Sequence, residues 1–427
     1  MSRVATWIAA CALCLLANAA WAGFEAGAAA YEKGDFQTAA REWLPLAQAG
    51  SKFMQFNLGA MYLKGQGVPK DAKEGERWLR RSAAQRYRPA QEALGDFYLL
   101  DRQGALQDYQ EALRWYRLAA GQGSAYAQSR IGFMYEQGMG VRRSRAAAVG
   151  WYRLAAEQGD ASAQNNLGMK HEKGWLLLDY AEAERWYRLA ADQGDAEGQR
   201  NLGRLYANGL GVAQSDEEAA RWYRLAAEQG DVKAQYALGE INVQAKRYEE
   251  ALRWFLLAAK QGDVLAQTEL GRIYRDVRSD VLQDFHEALR WYRTAADQGD
   301  AEAQYRLGSM YEEGQGLEPD FAEAARWYGR AADQDDFRAC LSLADMYGAG
   351  RGVAADQVLA YALYALVEPG NFALGAKANE RRGKLAEAMS AQQILAAQDL
   401  ARVMAQGKPM QVVQRYLDSA AKEELAR

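Results

Sequence analysis

The sequence predicts an all-α solenoid, and two observations carry that expectation. The first is internal repetition. Leu-Gly or a close variant recurs at Leu58-Gly59, Leu94-Gly95, Ile131-Gly132, Leu167-Gly168, Leu202-Gly203, Leu238-Gly239, Leu270-Gly271 and Leu307-Gly308, at intervals of roughly 36 residues, and Leu343-Ala344 continues the series. The second is periodicity. Each repeat holds two stretches with apolar residues at i, i+3, i+4 and i+7, and no segment alternates as a strand does. Repetition overrides the two or three globular domains that 427 residues would suggest, because stacked units lengthen one core instead of closing separate ones.

Taken in chain order, the first 22 residues, MSRVATWIAACALCLLANAAWA, carry one basic residue, a short Ala-rich apolar run and a small-x-small ending at Ala20-Trp21-Ala22. They read as a secretory signal peptide cleaved before Gly23, with a periplasmic address for the mature protein and no stable membrane insertion. Ile8-Ala9-Ala10-Cys11 has the look of a lipoprotein box, but too few residues separate Arg3 from Cys11 for an apolar region.

Each repeat then runs from a first helix bearing Ala, Leu-Gly and Tyr, through a Gly-rich loop, to a second helix centred on Glu-Ala-x-Arg-Trp-Tyr-x-x-Ala-Ala. Gly65-x-Gly67-Val68, Gly138-x-Gly140-Val141, Gly209-x-Gly211-Val212, Gly314-x-Gly316-Leu317 and Gly350-x-Gly352-Val353 supply left-handed residues that end the first helix. Gln-Gly-Asp, at Gln158, Gln193, Gln229, Gln261 and Gln298, ends the second helix and offers Asp as the next cap. A Gly inside a helix costs about 1 kcal/mol against Ala, so its recurrence implies that another backbone or a Trp packs tightly over it. The repeated Trp-Tyr pairs are accordingly expected inside the structure, between helices.

Three connections depart from the pattern: Gly174-Trp-Leu-Leu-Leu178, the shortened Gln244-Ala-Lys-Arg-Tyr248, and Tyr274–Phe285, which lacks the Gly pair. After Pro369 the period ends; Asn379–Gln406 and Met410–Leu425 read as two polar helices forming a C-terminal cap over the last apolar face.

Little in this sequence supports catalysis. Loss of Arg3 with the leader moves the net charge from −4 to −5, and no basic block exists, which argues against nucleic acid as a partner. Cys11 and Cys14 leave with the leader, so Cys340 stands alone, at a position where other repeats carry Gln, and neither a disulfide nor a thiolate metal site is expected. His171 takes the place of a first-helix Tyr and His286 lies beside Glu287, far apart in sequence; with no His pair and no aspartate-rich loop, metal and cofactor are both expected to be absent. The Gly-x-Gly pieces follow helices, unlike a dinucleotide fingerprint. Asp160, Asp195, Asp231 and Glu182 recur at capping and surface positions, and nothing selects an acid/base pair among the carboxylates.

The pattern Ala-x-Ala-Gln-x-x-Leu-Gly-x-x-Tyr-x-x-Gly-x-Gly-Val followed by Glu-Ala-x-x-Trp-Tyr-x-x-Ala-Ala-x-Gln-Gly resembles the Sel1-like repeat family, a relative of the tetratricopeptide repeat, over about 52–368. Phe24–Gly50 resembles one further, degenerate pair. The resemblance implies a right-handed superhelix of about ten helix-turn-helix repeats over 23–368, capped by 369–427, and serving as an adaptor for a protein partner. Family members linked to β-lactam turnover carry a cysteine pair in each repeat, which this chain lacks.

By the same resemblance the concave wall comes from first-helix positions −5, −2, +2 and +5 about the Leu anchor. These select Phe53, Phe56, Leu63, Tyr126, Phe133 and Glu136 in the first half, and Lys233, Tyr236, Glu240, Arg272, Arg275, Glu302, Tyr305 and Glu312 in the second. They vary between repeats while core positions do not, as expected of a surface that reads a partner; Phe and Tyr would anchor apolar groups, Arg272 and Arg275 carboxylates. The resulting expectation is a non-enzymatic, protein-binding scaffold. Its partner is an effector that it neutralises as an immunity protein, such as a type VI lipase, or an envelope, exopolysaccharide-assembly or host protein. A cell-wall or β-lactam hydrolase is the alternative from a different class.

Overall fold

The computed structural model describes residues 21–100, 107–175, 177–276, 283–367 and 372–425. Of the expected leader only Trp21 and Ala22 are among them, opening a helix; residues 1–20, Leu176, residues 277–282 and Pro369 with its neighbours lie outside. Among the described residues all regular structure is helical, and no helix is long and apolar enough to cross a membrane.

The chain forms two compact units, Met1–Trp222 and Tyr223–Arg427. The first holds α1 (described over 21–32), α2 (Phe36–Gln48), α3 (Lys52–Lys64), α4 (Ala72–Ala84), α5 (Arg88–Leu100), α6 (Tyr109–Ala120), α7 (Ala125–Gln137), α8 (Arg145–Glu157), α9 (Ala161–Glu172), α10 (Tyr180–Asp192) and α11 (Ala196–Asn208). The boundary falls within α12 (Asp216–Glu228). The second unit continues with α13 (Val232–Gln244), α14 (Tyr248–Lys260), α15 (Val264–Arg275), α16 (Phe285–Asp297), α17 (Ala301–Glu313), α18 (Phe321–Ala332), α19 (Phe337–Ala349), α20 (Gln357–Leu366), α21 (Phe372–Ala386), α22 (Ala391–Met404) and α23 (Pro409–Leu425). Odd-numbered helices from α3 to α19 are the first helices of the repeats, and even-numbered ones the second.

Local chemistry sets the helix ends. Asp160 caps α9 by accepting the Ala163 amide at 2.7 Å, and Asp179 caps α10 through the Ala181 and Glu182 amides. Gly138 closes α7 at φ 78°, a left-handed value that glycine adopts without strain. Two residues on, Gly140 lies so close to the start of α6 that a Cβ there would meet the Tyr109 carbonyl oxygen at 2.7 Å.

The helix-centred glycines explain themselves in packing, with a correction to the sequence reading. A second-helix carbonyl does come close, 3.2 Å from such a Cβ at Gly132 and Gly168, but the ring pressed over the glycines is the Tyr of the Trp-Tyr pair and not the Trp. A Cβ on Gly95, Gly132, Gly168, Gly271 or Gly308 would meet the ring of Tyr116, Tyr152, Tyr187, Tyr292 or Tyr328 at 2.9 Å or less. Phe255 does the same over Gly239. The Trp instead joins successive repeats: Trp78 packs with α2 and α3, Trp186 with α8 and α9, and Trp327 with α16 and α17. Tyrosine closes a hairpin and tryptophan stacks the next one on it.

A glutamine ladder supplies the polar counterpart. Buried Gln164 donates to the Ala156 carbonyl at the end of α8 and accepts Gln193 Nε2 at 2.7 Å. Gln91 repeats this with Ala83 and Gln122, Gln235 with Ala227 and Gln261, Gln267 with Ala259 and Gln298, and Gln304 with Ala296 and Gln334. Each amide thus adds a second hydrogen bond to a carbonyl at the end of the preceding helix, which already accepts the backbone amide three residues on.

At Cys340 the ladder stops, and the C-terminal helices begin to dock. α20 is buried on all sides, with Val358 through Tyr364 inside, and packs against α19, α21 and α22. α23 returns to α18: Asp333 Oδ1 accepts the Met410 amide at 2.8 Å, and Met410 lies over Gly329, which stands where other repeats have Arg. The polar stretch Asn379–Gln406, expected as one helix, is two. Ser390 and Gln393 form a capping box that starts α22 within it, a start signal inside an otherwise unbroken helical composition.

Packing over the glycines predicts opposite outcomes for two helix-interior substitutions. Gly168→Ala should lower the urea midpoint, costing about 2 kcal/mol as the methyl displaces the Tyr187 ring. Gly150→Ala, in α8 with nothing within 4 Å of the new methyl, should raise stability by up to about 1 kcal/mol.

Candidate functional site

In the first unit α3, α4 and α5 enclose a groove of about 710 Å³, lined mainly by Phe56, Ala60, Leu63, Ala93, Phe97 and Leu100, with Lys64 and Lys70 at its edge and Asp96 the acidic group. Phe56 and Leu63 are half-buried and Leu100 is 55% exposed. Beside the groove Phe53, 52% exposed, meets the Tyr87 ring edge-on at 5.2 Å, and Tyr87 touches Phe56 at 5.6 Å. The Lys52 ammonium lies 5.3 Å from the Phe53 centroid. Three of the predicted residues, Phe53, Phe56 and Leu63, therefore come together with an apolar surface.

Tyr126 and Phe133 are placed differently. Tyr126 donates to Asp96 Oδ1 at 2.6 Å and accepts from Arg130 Nε at 3.0 Å; burial pushes its phenol up to about 12, so it remains a donor. Phe133 is half-buried against the α8–α9 core.

In the second unit the predicted residues form two polar groups. Tyr236 tilts against Phe255 and donates to Glu240 at 3.2 Å; burial raises the Glu240 pKa, and the neighbouring Glu269 charge adds to it. Arg272 chelates Glu269 through Nε and Nη2 at 2.8 and 2.5 Å. Arg275 reaches Gln315 at 2.7 Å, Ser309 at 3.0 Å and Glu313 at 3.2 Å, so both guanidiniums are engaged within the chain. Glu302 pairs with Arg306 and Arg338, whose guanidinium lies 4.5 Å from the Tyr305 centroid, and these contacts hold the Glu302 carboxyl below its ordinary range despite burial. Lys233 is exposed.

Positions +2 and +5 carry a second recurrent arrangement. The buried second-helix tyrosines donate to first-helix carboxylates: Tyr116 to Asp96 at 2.6 Å, Tyr152 to Glu136 at 2.8 Å, Tyr187 to Glu172 at 2.7 Å, Tyr328 to Glu312 at 2.9 Å and Tyr364 to Asp345 at 2.6 Å. Burial and the facing carboxylate raise the Tyr116, Tyr152, Tyr187 and Tyr328 pKa values, so these phenols stay neutral donors. A cation from further along the chain completes several of them: Lys170 on Glu136 at 2.7 Å, Arg204 on Glu172 at 2.5 Å, Arg351 on Glu312 at 3.2 Å and Arg381 on Asp345.

A repeated hairpin of this kind, with this spacing and this glutamine ladder, is matched by the Sel1 repeat profile in nine consecutive segments, residues 53–87, 88–124, 125–160, 161–195, 196–231, 232–263, 264–300, 301–336 and 338–366. The chain belongs to the Sel1 repeat family. Each matched segment is one α-hairpin, from α3–α4 to α19–α20, and the architecture is the family's α-solenoid. It is similar to the crystal structure of a protective antigen of uropathogenic Escherichia coli strains displaying an SLR fold, at 30% identity over 93% of this chain and 86% of that one, with a TM-score of 0.73. A Sel1 repeat protein from Oxalobacter formigenes is 34% identical over 72% of this chain and 89% of its own, with a TM-score of 0.54. No curated protein matches the chain.

Within this Sel1 scaffold the remaining chemistry-bearing residues are structural in their surroundings. Burial pushes the Cys340 thiol up to about 12, so it is a protonated, packed side chain. His171 is half-buried, and both its ring nitrogens lack a partner among the described residues. His286 is exposed in the first turn of α16, where its amide donates to Asp284. Among the described residues no group of three His, Cys, Asp or Glu could hold a metal.

Sequence reasoning missed the groove residues Ala60, Ala93, Phe97 and Leu100. Phe97 stands three residues after its anchor, where other repeats bury Met61, Met134, Leu205 and Ile273, so an apolar residue there reads as core. Also missed was Lys170, with a side chain only 4% exposed, its ammonium 2.7 Å from Glu136 and 4.5 Å from the Trp175 centroid. The irregular Gly174-Trp175 connection is thus what covers this lysine. Lys170→Ala should destabilise the protein by about 3 kcal/mol, read from the urea midpoint, because it leaves Glu136 without its cation; Lys170→Arg should recover part of the loss.

Proposed function

We propose that the chain is a non-enzymatic scaffold in the bacterial periplasm that holds a protein partner in the groove of its first unit. Sel1 repeats mediate protein–protein interaction, and the chain is a Sel1 scaffold. One observation carries the finer reading: Phe56, Leu63, Phe97 and Leu100 line one groove, continuous with the exposed Phe53 and edged by Lys64 and Lys70. A solvent-facing apolar surface flanked by cations suits a helix or extended segment with apolar anchors and acidic flanks. The ion pairs of Arg272, Arg275 and Glu302 support placing the apolar anchor in the first unit, because those groups are already matched within the chain.

The periplasmic address rests on the leader-like composition of residues 1–22. Such an address suits neutralisation of an antibacterial effector, in the manner of an immunity protein, and envelope or exopolysaccharide assembly alike. The partner's identity separates them.

Affinity capture from a periplasmic extract tests the groove. Wild-type protein should retain a partner that Leu63→Asp/Phe97→Asp loses by ten-fold or more while keeping its helicity and melting temperature, whereas equal capture by both overturns the assignment. A lipase in the eluate assigns the effector role, and an envelope enzyme the assembly role. Separately, intact-mass measurement on protein expressed in a Gram-negative host and recovered by osmotic shock should place the mature N-terminus at Gly23; an uncleaved cytoplasmic product would remove the periplasmic reading.

A further inference from the structure

In four hairpin junctions an arginine of the second helix reaches a tyrosine of the following first helix, always 18 residues on. Arg80 donates to Tyr98 at 2.7 Å, Arg117 to Tyr135 at 3.2 Å, Arg188 to Tyr206 at 2.6 Å, and Arg293 to Tyr311. The guanidinium lies against the same ring, 5.5 Å from the Tyr98 centroid and 5.9 Å from that of Tyr206. Each phenol is therefore held through its oxygen by an arginine of the preceding second helix, and at Tyr98, Tyr206 and Tyr311 the same guanidinium also lies over the ring.

Arg224 begins the same spacing and ends on Asn242. This side chain is only 6% exposed, and its Nδ2 turns back to the Leu238 carbonyl at 2.8 Å. Among the described residues Arg224 has no hydrogen-bond or ion partner, nor do the side chains of Arg247 and Arg253. Two further changes occur in the same repeat. The connection from α13 to α14 is short and lacks the Gly-x-Gly-Val loop. Arg247 also replaces the capping Asp, so a cation stands where α6, α10 and α16 have an anion.

The consequence is a cleft of about 730 Å³ in the second unit, lined by Arg224, Asn242, Arg247, Arg253, Trp254 and Leu257. That volume is in the range of small-ligand sites. Its indole wall and Leu257 accept a ring, and Arg224 offers the donor that elsewhere binds a phenol oxygen. Glu228 and Glu250 also reach the cleft, which offsets most of the arginine charge and disfavours a phosphate or other polyanion.

We propose that this cleft binds a para-substituted phenol, which takes the position that the chain's own tyrosine holds in other repeats, with its oxygen on Arg224 and its ring against Trp254. The chemistry is shared by a tyrosyl side chain of a bound protein and by a free phenolic acid. The site shares no residue with the apolar groove, and the proposal does not rest on that groove's assignment.

The test uses the purified full chain, with no partner. N-acetyl-tyrosinamide stands for a peptide tyrosine, 4-hydroxyphenylacetate for a free phenolic acid, and N-acetyl-phenylalaninamide lacks the oxygen. Titration followed by ligand-observed NMR should give a Kd on the order of 1 mM for at least one phenol, and binding at least ten-fold weaker for the phenylalanine analogue. Whichever phenol binds more tightly identifies the source. Asn242→Tyr rebuilds the pattern of the other repeats, so it should fold, melt at or above the wild-type temperature and lose phenol binding. Arg224→Ala should erase the preference for tyrosine over phenylalanine. Undetectable binding of both phenols, equal binding of the phenol and phenyl ligands, or undiminished binding by a folded Asn242→Tyr protein would each overturn the proposal.

Discussion

The close approach of a second-helix aromatic ring to a first-helix glycine is the contact on which the rest of the structure depends. Tyr187 over Gly168 shows the constraint: the ring lies where a Cβ would be, 2.7 Å from its nearest atom. Glycine is a poor helix residue, and the burial of a whole phenol ring outweighs that cost. In five hairpins the hydroxyl of the buried ring then donates to a first-helix carboxylate, Asp96, Glu136, Glu172, Glu312 or Asp345. The half-buried carboxylate is in turn paired with a cation, Lys170, Arg204, Arg351 or Arg381. A steric fact at one glycine thereby propagates into an ordered sequence of polar requirements.

The α13–α14 hairpin shows the coupling by its exception. Phe255 replaces the tyrosine and keeps the contact with Gly239, while the +5 position is Val243. With no hydroxyl on that ring, the +2 carboxylate, Glu240, instead accepts from Tyr236 of its own helix. The same repeat carries Asn242, the short connection and the uncapped start of α14, so several scaffold rules are relaxed in one place. Such a concentration of departures is where a repeat scaffold has room for a ligand.

Two kinds of surface result. Where first-helix side chains satisfy phenols or one another, the wall is polar but internally matched, as at Glu136, Glu312, Arg272 and Arg275. Where they do not, as at Phe53, Phe56, Leu63 and Phe97, apolar surface faces solvent. Burial in a partner gains most from the second kind, because matched ion pairs lose their hydration without gaining a new contact.

The helices, their register and most of their ends were legible in the sequence, because periodicity, Asp caps and left-handed glycines act within a few residues of where they are read. Repetition also separated scaffold positions from variable ones, and offsets taken from the family resemblance selected Phe53, Phe56 and Leu63, which the fold brings to one apolar surface. The sequence did not show that Glu136 serves Tyr152 and Lys170, that Arg275 serves Glu313, or that a capping box at Ser390 divides one polar stretch into α22 and its predecessor. Nor did it show that tyrosine and not tryptophan covers these glycines, since the two rings are adjacent in sequence, both belong to the apolar face of the second helix, and only the packing of the hairpin decides which one meets the glycine. Local rules fix which residues form each helix; the pairing of polar atoms 16 to 38 residues apart depends on how far each hairpin rotates on the next, a quantity set by the packed rings and visible only in the folded chain.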